Sequence, residues 1–359
     1  MQTDNRVRFF LGSNSSHGFY SLYDHLIDPK QAKAIYILKG GPGCGKSTLM
    51  RRIGTRAEEM GEQVEYIHCS GDPESLDGIV LHGAKTAIVD GTAPHVIEPS
   101  YPGVVDNYVN LGDCYNKDGL AAVSSEIMNC TADYKECYKR AYRCLNAAEK
   151  IAKDSRIFLT TQSLEEKIVK RASGILNREV RNSGHGTGRI TPRFLGGITH
   201  QGQVTFYATA LVLCKRTYIL EDSYGLSHLM LNHILAGLTQ SEYDVIACHC
   251  PIFPDRLEHL IIPELSLAFL SCPPDRPCRK RPYRKIRMDA MIEPDLIRQS
   301  KTRLRFSRKI SAALIDEAVD ALTQAKTMHD DLEALYNPHV DFKQVYHIAD
   351  ELSKTILTH

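Results

Sequence analysis

The chain has 359 residues, and its 44 Lys and Arg residues nearly balance its 43 Asp and Glu residues. With 43% hydrophobic and 24% charged residues, the composition is typical of a soluble globular protein. The near-neutral charge excludes a general attraction to nucleic acid or to an acidic membrane surface. The length exceeds that of one ordinary hydrophobic core and indicates two domains.

The start of the chain gives no sign of export. The sequence MQTDNRVRFFLGSNSSHGFY lacks the apolar core and cleavage site of a secretory signal. No apolar run approaches the length that spans a bilayer. The eleven cysteines are scattered and do not form a disulfide framework. We therefore expect a cytoplasmic protein with reduced thiols and no membrane partner.

A strand, a glycine-rich loop and a helix follow one another near residue 40. The apolar run at 34–38 predicts a buried strand, and residues 47–60 predict a helix that ends before Gly61. The segment between them satisfies G-x-x-x-x-G-K-[ST], the phosphate-loop motif of nucleotide-binding proteins. The candidate binding residues are Gly40, Gly41, Pro42, Gly43, Cys44, Gly45, Lys46, Ser47 and Thr48.

These residue types suit the binding of ATP with Mg²⁺. Glycines let backbone N–H groups turn inward and form an anion nest at the N-terminus of a helix. Lys46 adds a fixed positive charge for the β- and γ-phosphates, and the Ser47 hydroxyl is a candidate Mg²⁺ ligand. Thr48 is placed to contact the α-phosphate.

A second metal ligand is predicted at the end of another strand. Residues 85–89 are followed by Asp90 and Gly91, so a buried strand ends in a carboxylate that can hold the Mg²⁺ shell. Lys46 and Asp90 are therefore the predicted catalytic residues. Because Gly91 stands where a hydrolytic glutamate is usual, the base stays open among Asp72, Glu74 and Asp77.

The chain contains an internal duplication. The blocks 8–20, 36–50 and 68–91 align with 192–207, 218–230 and 249–272, in the same order and with nearly constant separation. Leu11-Gly12 align with Leu195-Gly196, and Asp77 aligns with Glu258. The sequence therefore predicts that one fold occurs twice.

The second copy has lost the phosphate-loop chemistry. Its sequence YILEDSYGLSHLM has Ser227 in the place of Ser47 but no counterpart of Lys46. Glu221 and Asp222 introduce negative charge, and Ser271 replaces Asp90. We expect one nucleotide site, in the first repeat. The second repeat is either a structural domain or a built-in partner that packs against the first and regulates or completes its site.

Each repeat continues into helices. Helical spacing of apolar residues occurs at 119–153, 163–180, 296–336 and 341–357. Ser163 and Glu166 have the pattern of a capping box. Packing as an antiparallel pair is favoured over a coiled coil that binds a partner. The glycine-rich segment 181–189 is the predicted linker, so the predicted domains are 1–180 and 190–359.

The segments FLGSNSSHGFYSLYD, YILKGGPGCGKSTLM, HCSGDPESLDGIV and AIVDGTAPHVIEP carry a family resemblance. Together they resemble a family of uncharacterised bacterial ATPases, found mainly in Firmicutes, with tandem P-loop NTPase repeats. The resemblance covers nearly the whole chain and implies ATP binding. The predicted fold is α/β: duplicated P-loop NTPase-type domains with mainly parallel sheets, each with a helical extension.

Two further features keep other functions open. The segment 276–287 is rich in Arg and Lys and is a solvated loop, a contact for nucleic acid or another polyanion, or a source of an arginine for the ATP site. Cys248, Cys250, Cys272 and Cys278 lack zinc-site spacing and are read as core residues. Besides an ATPase, the motif is compatible with a small-molecule kinase or with a nucleotide-gated binding protein.

Overall fold

A computed structural model describes residues 6–180, 186–278 and 281–357. The first repeat forms an α/β unit followed by helices. Its strands are β1 (Val7–Phe10), β2 (Gly12–Ser15), β3 (Gly18–Ser21), β4 (Ala34–Lys39), β5 (Val64–His68), β6 (Leu76–Leu81), β7 (Thr86–Asp90) and β8 (Asp106–Asn110). Its helices are α1 (Lys46–Glu59), α2 (Lys117–Ala122), α3 (Ser124–Leu159) and α4 (Gln162–Glu179).

The second repeat has the same order of strands. They are β9 (Ile190–Arg193), β10 (Gly196–Thr199), β11 (Gly202–Thr205), β12 (Arg216–Glu221), β13 (Val245–His249), β14 (Leu257–Ile262), β15 (Leu267–Cys272) and β16 (Arg284–Arg287). Its helices are α5 (Tyr207–Leu213), α6 (Ser227–Gln240), α7 (Pro294–Tyr336) and α8 (Phe342–Leu357).

The two sheets have matching topology, which confirms two repeated α/β units. The first six-stranded sheet has the order β1-β5-β6-β7-β4-β8, and the second has the order β9-β13-β14-β15-β12-β16. In both, one strand (β6 or β14) runs antiparallel to its two neighbours, and the other pairings are parallel. The prediction of mainly parallel sheets is confirmed. Every residue of β6, β7, β14 and β15 is buried, as expected for central strands covered on both faces.

The repeats share one hydrophobic core. Phe9, Phe10 and Leu11 of the first repeat lie in the same buried cluster as Phe194 and Leu195 of the second. The backbones of Phe10 and Phe194 exchange two hydrogen bonds, of 2.9 and 3.0 Å. Because these two residues are equivalent in the duplication, the chain pairs with its own copy at this point.

The two long helices pack antiparallel. Arg140 and Arg303 form ion pairs with Glu317 and Asp154 across the α3–α7 contact, so residue numbers fall along α7 as they rise along α3. Ala141, Leu145, Ala318 and Leu322 are buried between the helices. The expectation of an internal antiparallel pair therefore agrees with the contacts.

The last helix of each repeat packs on the opposite repeat. Apolar residues of α4, including Ile168 and Ile175, share a buried cluster with Met230 and Ile234 of α6. Ala349 and Ile356 of α8 join the buried cluster around α1 in the first repeat. The core of each repeat therefore includes one helix from the other repeat.

The N-cap of α4 differs from the predicted one. The capping box at Ser163 and Glu166 is wrong, because α4 begins at Gln162 and the Thr161 side chain accepts the N–H of Leu164 at 3.2 Å. Thr161 is the better cap since it precedes the helix in extended backbone. Residues 181–185 of the predicted linker lie outside the described residues. In the described part of the chain, no helix combines the length and apolarity needed to cross a bilayer.

Candidate functional site

The phosphate-loop sequence connects the carboxyl end of β4 to the start of α1. Strand β4 ends at Lys39 and the helix begins at Lys46, so the loop lies at the N-terminus of α1. In the parallel pairing of β4 with β7, Leu38 is opposite Asp90. This register brings the predicted metal ligand to the same sheet edge as the loop, where ligands of open α/β sheets usually bind.

Lys46 is held inside the loop and faces Asp90. Its Nζ donates hydrogen bonds to the carbonyl oxygens of Gly40 and Gly41, each at 2.8 Å. The same Nζ lies 3.5 Å from Oδ2 of Asp90, and the two side chains are only 11% and 12% exposed. The two predicted catalytic residues therefore face each other in a largely buried site.

Glycine is required at two positions of the loop. Gly43 and Gly45 have φ angles of +67° and +87°, in the left-handed region that other residues rarely adopt. A methyl group at Gly43 would also lie 2.5 Å from Oδ1 of Asn337. At Gly45 the nearest side-chain atoms belong to Val345 and Phe342. The turn between α7 and α8 therefore covers the loop of the first repeat.

The remaining loop residues are arranged around this turn. Cys44 is buried, and Lys46 contacts its Sγ at 3.8 Å. The Gly41 N–H donates to the hydroxyl of Tyr115. The Oγ of Ser47 accepts the N–H of Leu76 at 2.9 Å, and Thr48 is exposed on the first turn of α1. The Ser47 oxygen keeps a lone pair and its proton for a further ligand.

A buried acidic cluster adjoins Lys46. Strands β6 and β7 are antiparallel with Gly78 opposite Val89, which sets Asp77 beside Asp90. Ligand atoms of Asp77, Asp90 and His95 all lie within 4.8 Å of one another. These three residues are 5%, 8% and 6% exposed. A carboxylate pair this deep in the protein needs charged or polar partners.

Asp77 has such partners. The Tyr23 hydroxyl donates to Oδ2 of Asp77 at 2.9 Å, and Nε2 of His95 lies 3.7 Å from its Oδ1. Burial raises the pKa of Asp77, and the adjacent Asp90 raises it further against the opposing effect of His95. A buried carboxyl group with a raised pKa beside a phosphate site has the properties of a general base.

The other two candidate bases lie elsewhere. Asp72 pairs with Lys326 at 3.6 Å and accepts the N–H of Glu74. Glu74 is exposed. Of the three carboxylates left open by the sequence, Asp77 is the one that joins Asp90.

Sequence reasoning missed Tyr23 and His95. The His95 ring stacks on Tyr23 with centroids 4.9 Å apart, and its Nδ1 is buried without a hydrogen-bond partner. The local signal for His95 is its position five residues after Asp90. Tyr23 lies in a turn far away in sequence, so no local pattern pointed to it.

The oxygen donors of this cluster suit Mg²⁺. Asp90 and Asp77 offer carboxylate oxygens, and Ser47 offers a hydroxyl near the N-terminus of α1. Mg²⁺ in nucleotide sites is bound through one or two carboxylates together with substrate phosphates. Since a buried carboxylate pair gains from a neighbouring cation, the donor set fits this metal.

In the second repeat, a carboxylate occupies the shortened loop. The N–H groups of Tyr224 and Gly225 donate to Oδ1 of Asp222 at 3.0 and 2.8 Å, and the N–H of Ser227 donates to Oδ2 at 2.6 Å. Asp222 is 3% exposed. An internal anion therefore satisfies the amides at the N-terminus of α6, where a phosphate loop would bind its ligand.

The equivalents of the acidic pair have changed as well. Ser271, in the place of Asp90, accepts a hydrogen bond from Ser227 at 2.9 Å. Glu258, in the place of Asp77, is buried and lies 3.8 Å from Arg276. Burial raises the pKa of Glu258. The second repeat has kept the fold and has other residues at the positions of Lys46, Asp77 and Asp90.

The basic segment and the cysteines also lie in this repeat. Lys285 pairs with Glu221 at 2.8 Å, as Arg276 does with Glu258, so both use acids of their own repeat. Arg279 and Lys280 lie outside the described residues. Cys248 is fully buried, and no candidate metal cluster among the described residues contains a cysteine.

Comparison of the chain with protein-family models, with curated proteins and with solved structures gave no match. The chemistry of the first-repeat site therefore has to be argued from its own residues.

Proposed function

We propose that the first repeat binds ATP with Mg²⁺ and hydrolyses it, with one active site at residues 40–48 and Asp90. The observation that carries the proposal is the contact of Lys46 with Asp90 at 3.5 Å, at the N-terminus of α1. The glycine loop supplies backbone N–H donors, and the helix N-terminus favours negative charge. The choice of ATP over another nucleotide rests on the family resemblance.

Each residue then has a distinct role. Lys46 leaves the carbonyl groups of Gly40 and Gly41 to contact the β- and γ-phosphates. The ammonium group and the loop amides stabilise the charge of the transferring phosphoryl group in a site from which water is largely excluded. Thr48 contacts the α-phosphate from the first turn of the helix.

Ser47 and Asp90 would hold the metal, and Asp77 lies in the same cluster as Asp90. Bound there, Mg²⁺ neutralises phosphate charge during phosphoryl transfer.

Asp77 orients the attacking water. Its carboxylate is fixed by the Tyr23 hydroxyl and faces the same edge as Asp90. The raised pKa of Asp77 makes this carboxylate a better proton acceptor than an exposed aspartate. His95 stacks on Tyr23 and places its Nε2 3.7 Å from the other oxygen of Asp77, which helps to position this carboxylate.

The first experiment compares ATP binding and phosphate release by the intact protein and by Lys46→Ala. Loss of a charged contact to phosphate costs about 1.5–3 kcal/mol, so we expect ATP to bind roughly 10- to 150-fold more weakly. Calorimetry measures the affinity, and a phosphate-release assay measures turnover. Parallel titrations with GTP test the choice of base.

Lys150→Ala is the matched control, because Lys150 is an exposed lysine on α3 away from the loop. It should bind and hydrolyse ATP as the wild type does. Equal ATP affinity of the wild type and Lys46→Ala would overturn the proposal. Phosphate that appears on an acceptor molecule, without release to water, would identify a kinase that uses the same site.

A further inference from the structure

A second cavity lies at the carboxyl edge of the second sheet. Its volume is about 380 Å³, within the range of small-molecule sites. It is lined by residues of the shortened loop, of α3 and of α7, so both long helices form part of its wall. It occupies in the second repeat the position that the phosphate site has in the first.

Two arginines of this cavity form no ion pair with the described carboxylates. Arg156 comes from α3 and Arg256 from the loop that precedes β14, and neither forms an ion pair with a described carboxylate. Arg156 is only 9% exposed, and its Nη2 has no hydrogen-bond partner among the described residues. Burial together with the charge of Arg256 lowers the pKa of Arg156 to about 10. A buried guanidinium in this state is costly unless an anion joins it.

Both guanidinium groups lie against the ring of Phe253. Each has its central carbon 4.9 Å from the centroid of the Phe253 ring, so they are no farther apart than twice that distance. Nη1 of Arg156 would lie 3.2 Å from a methyl group at Gly225. Both charges are therefore presented beside the shortened loop. Arg308, exposed on α7, adds a third cation near Tyr224 at the cavity rim.

The acids that line the cavity have other partners or lie at its rim. The Asp222 carboxylate is bound by three loop amides, and Glu258 faces Arg276. Asp275 and Asp316 are exposed at the rim. Glu149 acts on both arginines at longer range, but no described carboxylate lies within ion-pair distance of either guanidinium group.

The rest of the cavity is largely apolar. Its walls include Leu159, Ile252, Leu304 and Ile315, together with the Phe253 ring. Arginine guanidinium groups recognise phosphate and carboxylate oxygens through paired hydrogen bonds. A ligand that satisfies both parts has a compact anionic group and an apolar body.

We propose that this cavity binds a small organic phosphate monoester, with its phosphate between Arg156 and Arg256 and its body against the apolar walls. A monoester dianion matches two guanidinium charges with a single group, whereas a carboxylate supplies one charge. The ligand does not use the loop amides, because Asp222 already occupies them. The second repeat is thus a separate ligand-binding site, distinct from the ATP site of the first.

The test is calorimetric titration of the intact protein with phenyl phosphate and, in parallel, with phenylacetate. We expect one phenyl phosphate per chain and at least about tenfold weaker binding of phenylacetate. Arg256→Gln should weaken phenyl phosphate binding about tenfold or more. Since Arg256 is only half-buried, this variant should fold normally. Arg156→Gln should have the same effect.

Two controls separate this cavity from other sites. Arg287→Gln removes an exposed arginine of the same repeat outside the cavity and should bind as the wild type does. Lys46→Ala should also leave phenyl phosphate binding unchanged. Absence of binding to the wild type, equal binding by Arg256→Gln, or loss of binding in Lys46→Ala would each overturn the proposal. Equal affinity for phenylacetate would show that the cavity does not select a phosphate over a carboxylate, and it would overturn the stated ligand class.

Discussion

At equivalent positions near the two loops, the repeats have side chains of opposite charge. Three residues before the end of α3, Arg156 lies against Gly225 of the second loop. Three residues before the end of α7, Glu333 lies against Gly43 of the first loop. The loop that has Lys46 thus receives an acid from the opposite helix, and the loop that has Asp222 receives a base.

Asp77 is the residue whose role is most directly testable. Asp77→Asn keeps the shape of the side chain and removes its ability to accept a proton. We expect ATP affinity within a few-fold of the wild type and a fall in turnover of about 10²-fold or more. Steady-state phosphate release and calorimetric ATP binding measure the two effects separately.

Asp72→Asn is the control for this experiment. Asp72 was an equal candidate in the sequence but pairs with Lys326 and does not reach Asp90. Its variant should keep most of the turnover. If Asp72→Asn is the slower enzyme, the assignment of Asp77 is wrong.

At this scale, the sequence predicts residues that belong to a contiguous motif. Lys46 and Asp90 were identified because each follows a recognisable strand. Asp77 stayed one of three alternatives, since its position opposite Asp90 depends on the register of β6 and β7. Tyr23 reaches the site through tertiary packing alone, which no local pattern encodes.

Among the secondary-structure elements, α4 and α8 connect the repeats most directly. Each is amphipathic and buries its apolar stripe on a helix of the other repeat. Asn337 in the turn before α8 and Phe342 at the start of α8 also lie against the phosphate loop. The stability of the first site therefore depends on the last residues of the chain.

Substitutions in these two helices should destabilise opposite repeats. Ile356 is 5% exposed and Ile168 is 1% exposed. Replacing either by Ala should cost about 2–5 kcal/mol of unfolding free energy, because the cavity left behind does not close fully. Hydrogen exchange should then rise in α1 for Ile356→Ala and in α6 for Ile168→Ala.

Val169→Ala provides a surface control on α4, since Val169 is 40% exposed. Its exchange pattern should match that of the wild type. If Ile356→Ala increased hydrogen exchange in α6 and left α1 protected, the packing of α8 on the first repeat would be contradicted.

Helix positions were more predictable than helix partners. The segments 163–180, 296–336 and 341–357 correspond closely to α4, α7 and α8, whereas 119–153 covers the end of α2 and most of α3. An apolar stripe shows that one face of a helix is buried but does not show what covers it. Helices α4 and α8 reach the opposite repeat because the long helices α3 and α7, which precede them, carry the chain across.

The whole molecule resembles an isologous dimer joined in one chain. In such an interface, equivalent residues meet at the symmetry axis, as Phe10 and Phe194 do. Equivalent contacts recur on either side: Ser16 N–H donates to the Ile252 carbonyl, and the His200 ring contacts the Gly71 carbonyl at 3.1 Å. The duplication seen in the sequence thus predicts the symmetry, although it does not give the contacts.

One ion pair across the repeats breaks this symmetry. Nε of Arg193 lies 2.6 Å from Oε1 of Glu65, and both side chains are at least nine-tenths buried. Arg193 also donates to the carbonyl groups of His25 and Leu26. Burial alone would raise the pKa of Glu65, but Arg193 and His82 outweigh it and lower this pKa from 4.5 to about 2.

This pair should make the stability of the whole protein depend on pH in a defined window. Because the folded pKa of Glu65 is lowered, its contribution is complete above pH 4.5 and is lost as the pH falls toward 2. Glu65→Gln should lower the unfolding free energy by about 3 kcal/mol at pH 7. The difference between the two proteins should shrink as the pH falls below 4.5.

Urea denaturation at a series of pH values measures this difference. Glu59→Gln, on the exposed face of α1, should stay within about 0.5 kcal/mol of the wild type throughout. A Glu65→Gln difference that is constant with pH would show that the carboxylate charge does not hold the repeats together. If the difference in unfolding free energy between Glu65→Gln and the wild type disappears only below pH 4.5, this ion pair accounts for part of the loss of stability in acid.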